Sequence, residues 1–213
     1  MDEQTVFVLD DNDDLRDSIY WLLETVGVRA ELYATAQEFV ESYVPEKRGC
    51  IVLDIRMPGM SGLELLEWLH AQNVCMPVII ISGHGDIPTA IRAIKSGALD
   101  FLEKPFNGQD LLDRVQNALR ISQEMQQKHL KHSELNHYFD SLTNKEKIVL
   151  NQLVTGKSSK IIGRDLGISP KTVDVHRTNI MKKLRVHGVK DLINTYLSHK
   201  YYSDRRYEYR FCI

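Results

Sequence analysis

The chain has 213 residues, 43% of them hydrophobic, with 27 Lys and Arg against 29 Asp and Glu for a formal net charge of -2. That length suits two modest domains with a core each, and no apolar run approaches the ~20 residues that cross a bilayer. The cysteines, Cys50, Cys75 and Cys212, are odd in number and show no C-x-x-C spacing, so they read as reduced thiols; with no basic-then-apolar start, a cytoplasmic protein without membrane contact is expected.

The near-neutral total hides an asymmetry. Residues 1–120 carry 10 Lys and Arg against 20 Asp and Glu, a net of -10, while residues 121–213 carry 17 against 9, a net of +8. An acidic module is joined to a basic one, and the basic half is where a polyanion would bind.

In chain order, the apolar run Val6-Phe7-Val8-Leu9 predicts a buried strand that ends at Asp10 and Asp11. Leu15, Ile19, Leu22, Leu23 and Val26 form a helical stripe from Asp14, closed by Gly27. A short strand over about 29–33 and a helix over 36–43 follow. Cys50-Ile51-Val52-Leu53 then stops at the carboxylate of Asp54 and breaks into the turn chemistry of Met57-Pro58-Gly59. A helix over about 61–71 precedes the strand Val78-Ile79-Ile80-Ile81, which delivers Ser82. A helix over 88–96 precedes Phe101-Leu102, which leads to Glu103-Lys104-Pro105, and a last helix covers about 108–119. Five strands alternating with five helices predict a doubly wound α/β domain with a five-stranded parallel sheet of flavodoxin-like order.

Open sheets of this kind bind ligands at the carboxyl ends of their strands, so Asp10, Asp11, Asp54, Ser82 and Lys104 should converge in one crevice. Singly, each aspartate reads as a helix N-cap and Lys104 as a solvated charge; their conjunction carries the chemistry. Three carboxylates pressed together repel unless a divalent cation neutralises them. Mg²⁺ suits such a set, since it takes a few carboxylates plus waters and phosphate oxygens. With Mg²⁺ and Lys104 balancing charge, Asp54 could accept a phosphoryl group as an acyl phosphate. Gly83-His84-Gly85 lacks the third Gly of a dinucleotide loop, and His84 reads as a loop residue beside Ser82.

On these motifs, residues 1–120 resemble a response-regulator receiver domain. The resemblance implies that Asp54 takes the phosphoryl group from a sensor histidine kinase, and that Asp10, Asp11 and Asp54 bind Mg²⁺ with the Arg56 carbonyl. It also implies that Ser82 and Lys104 hold the phosphoryl oxygens, that Phe101 is the aromatic switch, and that the Lys104-Pro105 peptide is cis. A haloacid-dehalogenase-like hydrolase would want a second Asp two residues after Asp54, where Arg56 stands.

Residues 121–141 are rich in Gln, Lys, His and Glu with sparse apolar positions, and read as a linker that continues the preceding helix before loosening. His129 and His132 are read as part of a solvated face, since no further ligand completes a metal site. An acidic module tethered this way would hold a competitor for the basic domain's DNA surface at high effective concentration.

Residues 142–198 form the expected small all-α domain of four helices. Thr143 and Glu146 make a capping box for a helix whose Ile148, Val149, Leu150, Leu153 and Val154 face inward, with Gly156 closing it. A short helix with Ile161, Ile162 and Leu166 inside ends at Gly167. Ser169-Pro170 then caps a helix running to about Leu184. The tight Gly167-Ile168-Ser169 turn makes this a helix-turn-helix whose second helix would enter the major groove of double-stranded DNA.

Periodicity puts Val173, Ile180 and Leu184 on the packed side of that helix and Lys171, Asp174, Val175, Thr178 and Lys182 on the other. The DNA-contacting candidates are these five with Thr172, and with Arg177 and Lys183 at the flanks for phosphates.

From Leu142-Thr143-Asn144-Lys145-Glu146 through Ser169-Pro170-Lys171-Thr172-Val173 to Ile180-Met181-Lys182-Lys183-Leu184, the second half resembles the LuxR-type helix-turn-helix. The whole chain is thereby similar to the FixJ/NarL class of two-component transcription regulators, FixJ type above all. That implies promoter DNA and RNA polymerase as partners, and a homodimer when phosphorylated. The class uses a fourth helix, here about 189–197, for DNA-bound dimers, although its Leu192, Ile193, Tyr196 and Leu197 stripe could equally be core. An RNA-binding antiterminator or a pure interaction module would lack this turn and recognition-helix layout. The Tyr/Arg-rich tail 199–213 departs from the class and reads as disordered.

Overall fold

Apolar, β-branched runs form five strands: β1 (Thr5–Leu9), β2 (Arg29–Tyr33), β3 (Gly49–Asp54), β4 (Val78–Ser82) and β5 (Asp100–Glu103). A computed structural model describes residues 4–83 and 87–204 of the chain, with 201–204 by backbone alone. The expectations for His84 and for the tail beyond 204, Cys212 included, lie outside those residues, while 199–204, expected to be disordered, continue the last helix instead. The strands pair in parallel in the order β2-β1-β3-β4-β5, the flavodoxin-like order expected.

Helices α1 (Asp13–Thr25), α2 (Ala36–Ser42), α3 (Gly62–Ala71), α4 (Ile87–Lys95) and α5 (Gly108–Asp140) alternate with the strands. Strand alternation sorts them into two layers. Val6, Val8, Cys50, Val52, Ile79 and Ile81 face one side and pack with Ile19 and Leu23 of α1 and Leu111, Val115 and Ala118 of α5. Phe7, Leu9, Ile51, Leu53 and Ile80 face the other, against Phe39 of α2, Leu65, Leu66 and Leu69 of α3, and Ala93 of α4. Burial pushes the Cys50 thiol up to about 12, which makes it an inert core residue rather than a nucleophile. Val26, expected on the inward stripe of α1, is instead the exposed C-cap of that helix.

The expected loosening after residue 120 does not occur: α5 runs unbroken to Asp140. Gln, Glu, Lys, Leu and Met are good helix formers without apolar support, and both ends of the helix are anchored. Leu111, Val115 and Ala118 belong to the core of the α/β domain, and Phe139 belongs to a second core. The chain divides into two units with the boundary at Gln127 and Lys128, inside this helix.

The second unit holds α6 (Asn144–Leu153), α7 (Ser159–Leu166), α8 (Pro170–Lys183) and α9 (Val189–Asp204) around Val149, Leu150, Leu153, Ile162, Val173, Ile180, Leu184 and Leu192. The Thr143/Glu146 capping box is complete, and Ser158 and Ser169 cap α7 and α8. Gly167 sits at φ 67, a left-handed C-cap that glycine adopts without a Cβ penalty and that lets the chain turn at once into α8. Ile148 and Ile161 correct the inward assignment, being 50% and 40% exposed on the outer sides of α6 and α7. The α9 stripe divides: Leu192 is core and Leu197 is 56% exposed. Among the described residues no helix is long and apolar enough to cross a membrane.

Candidate functional sites: the strand-end crevice and the recognition helix

The crevice follows from sheet register. Leu9 pairs with Leu53 across β1 and β3, so Asp10 and Asp54 leave neighbouring strands at the same level. On the other side Asp54 pairs with Ile81, and Ser82 pairs with Glu103, the residue before Lys104. Asp10, Asp54, Ser82 and Lys104, from four different strand ends, thus reach the carboxyl edge together. Gly62 keeps the turn after Asp54 folded back: a Cβ there would lie 2.2 Å from the Asp54 carbonyl oxygen, and its N–H donates to the Ile55 carbonyl at 3.0 Å.

Asp10 and Asp54 are buried, and Lys104 Nζ donates to Asp10 Oδ2 and Asp54 Oδ1, each at 2.6 Å. Asp10 Oδ1 accepts the Asn12 N–H at 2.9 Å, and Asp54 Oδ2 accepts the Arg56 N–H at 2.5 Å. Burial holds the Asp54 carboxyl above the usual carboxylate range, against the pull of Lys104 and with the Asp10 charge adding to it. Burial alone would lower the Lys104 ammonium, but its bonds to Asp10 and Asp54 outweigh that and raise it. Two buried carboxylates therefore share one ammonium, leaving an uncompensated negative charge that a cation would stabilise.

The remaining residues of the set are placed as follows. Asp11 is exposed beside Asp10. Ser82 is buried at the end of β4, and its carbonyl accepts the Lys104 N–H at 2.8 Å. Phe101 is half-buried against the α2/α3/α4 side of the core, and the Lys104-Pro105 peptide is cis. Among the described residues no three His, Cys, Asp or Glu side chains form a ready metal cage. The donors present, two buried carboxylates, a third beside them and backbone carbonyls, fit Mg²⁺, which keeps several waters and needs few protein ligands. Sequence reasoning missed Arg16, whose Nη1 donates to the Asp10 carbonyl at 2.5 Å from the first turns of α1; nothing in a lone helical Arg signals that bond.

On α8, Lys171, Thr172, Asp174, Val175, Thr178 and Lys182 are exposed, Val175 at 54%, while Val173 and Ile180 are buried. An apolar side chain exposed amid cations and hydroxyls has no packing role here. Arg177 is half-buried, with Nη1 donating to Ser159 Oγ at 3.0 Å. Lys183, the other flanking cation, is tied into the domain. Its Nζ is 2.7 Å from Glu146 Oε2 and 3.1 Å from the Ser141 carbonyl, tying the end of α8 to the capped start of α6. Those bonds lower the pKa of the Glu146 carboxyl despite its burial.

A parallel sheet with two acidic groups and a lysine at its carboxyl edge, followed by a capped helix-turn-helix, defines a receiver with a DNA-binding output. Residues 6–116 match the response regulator receiver domain, and residues 140–196 match the bacterial regulatory proteins of the luxR family. The chain is 44% identical over 188 residues to the transcriptional regulatory protein FixJ of Azorhizobium caulinodans, covering 88% of this chain and 89% of that protein. It is 37% identical over 188 residues to the response regulator protein TodT of Pseudomonas putida, covering 88% and 83%. The solved structure of the response regulator StyR superposes with a TM-score of 0.82 at 43% identity, covering 91% of this chain and 98% of that one. The chain belongs to the FixJ/NarL family of two-component response regulators with a LuxR-type output domain. It is a phosphorylation-controlled transcription regulator, with a histidine kinase and DNA as its partners.

Proposed function

We propose that Asp54 is the phosphoacceptor and that its acyl phosphate drives dimerisation and promoter binding through α8. The observation that carries this reading is the shared Lys104 ammonium, 2.6 Å from both Asp54 and Asp10 in a buried crevice. A carboxylate oxygen of Asp54 attacks phosphorus in line, the phosphohistidine nitrogen of the kinase leaves, and a mixed carboxylic-phosphoric anhydride remains. Asp10, Asp11, Asp54 and the Arg56 carbonyl would hold Mg²⁺, which when bound supplies charge neutralisation for the incoming phosphoryl oxygens. Lys104 and the Ser82 hydroxyl take the remaining oxygens, and Phe101 couples that rearrangement to the β5/α4 surface.

On that surface Ile87, Ile91 and Ile94 are 75%, 49% and 36% exposed and recur at i, i+4 and i+7 on α4. Such a stripe on a helix anchored to the core through Ala93 alone supports pairing of two receivers there. Two outputs then occupy two half-sites. Lys171, Thr172, Asp174, Val175, Thr178 and Lys182 present the DNA face, with Arg177 at its flank; the dimer works in the cytoplasm and acts on RNA polymerase at the promoter.

The test of the acceptor is incubation with Mg²⁺ and acetyl phosphate followed by intact mass measurement. Wild type gains one phosphoryl group and Asp54→Asn gains none. Equal gain by both would place the acceptor elsewhere.

A further inference from the structure

Ser158 already caps α7, its Oγ accepting the Ile161 N–H, so the hydroxyl of the next residue, Ser159, is available for another task. It reaches across to the recognition helix, donating to Asp174 Oδ1 at 2.7 Å and accepting Arg177 Nη1 at 3.0 Å. The Asp174 and Arg177 charges are themselves 3.8 Å apart. A carboxylate only accepts and a guanidinium only donates, so the single hydroxyl proton must go to Asp174 and both bond directions are fixed.

We propose that Ser159 is a specificity-determining positioning residue, which sets base preference at one position of the DNA site by holding Asp174 and Arg177 without itself reading a base. Asp174 remains 61% exposed although one of its oxygens is engaged. Its second oxygen is therefore an acceptor held in one orientation beside Val175. An aspartate left free there would sample several rotamers and lose conformational entropy on binding; the Ser159 bond removes that cost before DNA arrives. An acceptor fixed toward the major groove selects an exocyclic amine, which cytosine N4 and adenine N6 present, and opposes the guanine O6 and N7 acceptors. Arg177, 31% exposed and drawn toward α7, is kept with its charge partly neutralised by Asp174. It is thereby withheld from the groove, where it would favour guanine.

The inference rests on the proposed DNA face of α8. Its test uses the phosphorylated full-length chain, a randomised DNA pool, and Kd values for the selected site and its one-base variants at one salt concentration. Asp174→Ala should relax preference at one base pair. Ser159→Ala should relax the same base pair by about fivefold, the scale of one hydrogen bond, with no change in non-specific affinity or in thermal unfolding. Ser159→Thr, which keeps the hydroxyl, should restore it, and in an Asp174→Ala background Ser159→Ala should have a smaller effect than in wild type, since only its hold on Arg177 remains. If Asp174→Ala relaxes a position while Ser159→Ala does not, the positioning role is wrong and the DNA face stands. Uniform weakening of all sites by Ser159→Ala would make the residue a structural strap and overturn the proposal. Unchanged preference in both variants removes Asp174 from the DNA face, and the inference with it.

Discussion

The Lys104 ammonium donates to Asp54 at 2.6 Å while making an equally short bond to Asp10, so one cation serves two buried carboxylates contributed by different strands. Lys104→Met keeps the length of the stem and removes the charge. Breaking a buried pair costs about 3 kcal/mol, and the two carboxylates then have no cation of their own. Thermal unfolding should therefore show a lower Tm in metal-free buffer and a larger rise on adding Mg²⁺ than wild type shows. An identical Mg²⁺ response in both proteins would mean that the ammonium and the metal do not share these carboxylates.

The Glu146 to Lys183 bond gives the output domain a pH dependence with a definite sign. Burial opposes the Glu146 charge, but Lys183 and the Thr143 N–H and hydroxyl stabilise it, so its folded pKa lies below the ordinary 4.5. A depressed carboxylate stabilises the folded state fully above its unfolded pKa and loses that contribution as pH falls from there through the folded value. Lys183→Met should cost about 2 kcal/mol at pH 7, the scale of a charge-assisted hydrogen bond. The gap from wild type should shrink below pH 4. Urea titrations at both pH values measure it; a gap independent of pH would contradict the pairing.

Ile91 tests the pairing surface. A carboxylate at the centre of the Ile87, Ile91, Ile94 stripe would be desolvated on dimerisation, so Ile91→Asp should weaken the phosphorylated dimer roughly 100-fold while phosphorylation proceeds normally. Analytical ultracentrifugation reads the dimer and intact mass reads the phosphoryl group. A dimer of wild-type affinity would put the interface on another face.

What could be read from the sequence was whatever is encoded locally. Apolar runs ending at Asp10, Asp54, Ser82 and Lys104 gave the strand ends, and a parallel sheet has few ways to arrange them, so the crevice was legible before any geometry. The Thr143/Glu146 capping box and the Gly167 to Pro170 turn are four-residue signals of the same kind. The misses are of three kinds. Along α5, helix propensity persists where apolar periodicity thins, so a rule tuned to periodicity ended the helix early. A second kind depends on contacts across the fold: Lys183 meets Glu146 37 residues away, and Ser159 meets Asp174 15 residues away. Periodicity names the face a residue occupies, but not the partner waiting there. Ile148 and Ile161 show the reverse error, apolar residues beside an inward stripe that the packed domain leaves outside.

The central claim is that a phosphoryl group on Asp54 controls DNA binding by α8. The most direct measurement is the Kd of the full-length chain for one selected promoter site at one stated salt concentration, before and after treatment with acetyl phosphate and Mg²⁺, for wild type and Asp54→Asn. Wild type should bind roughly 5 to 150-fold more tightly after treatment, the range of a coupling of about 1 to 3 kcal/mol, and Asp54→Asn should not change. Equal affinity before and after in phosphorylated wild type, or an equal gain in Asp54→Asn, would contradict it.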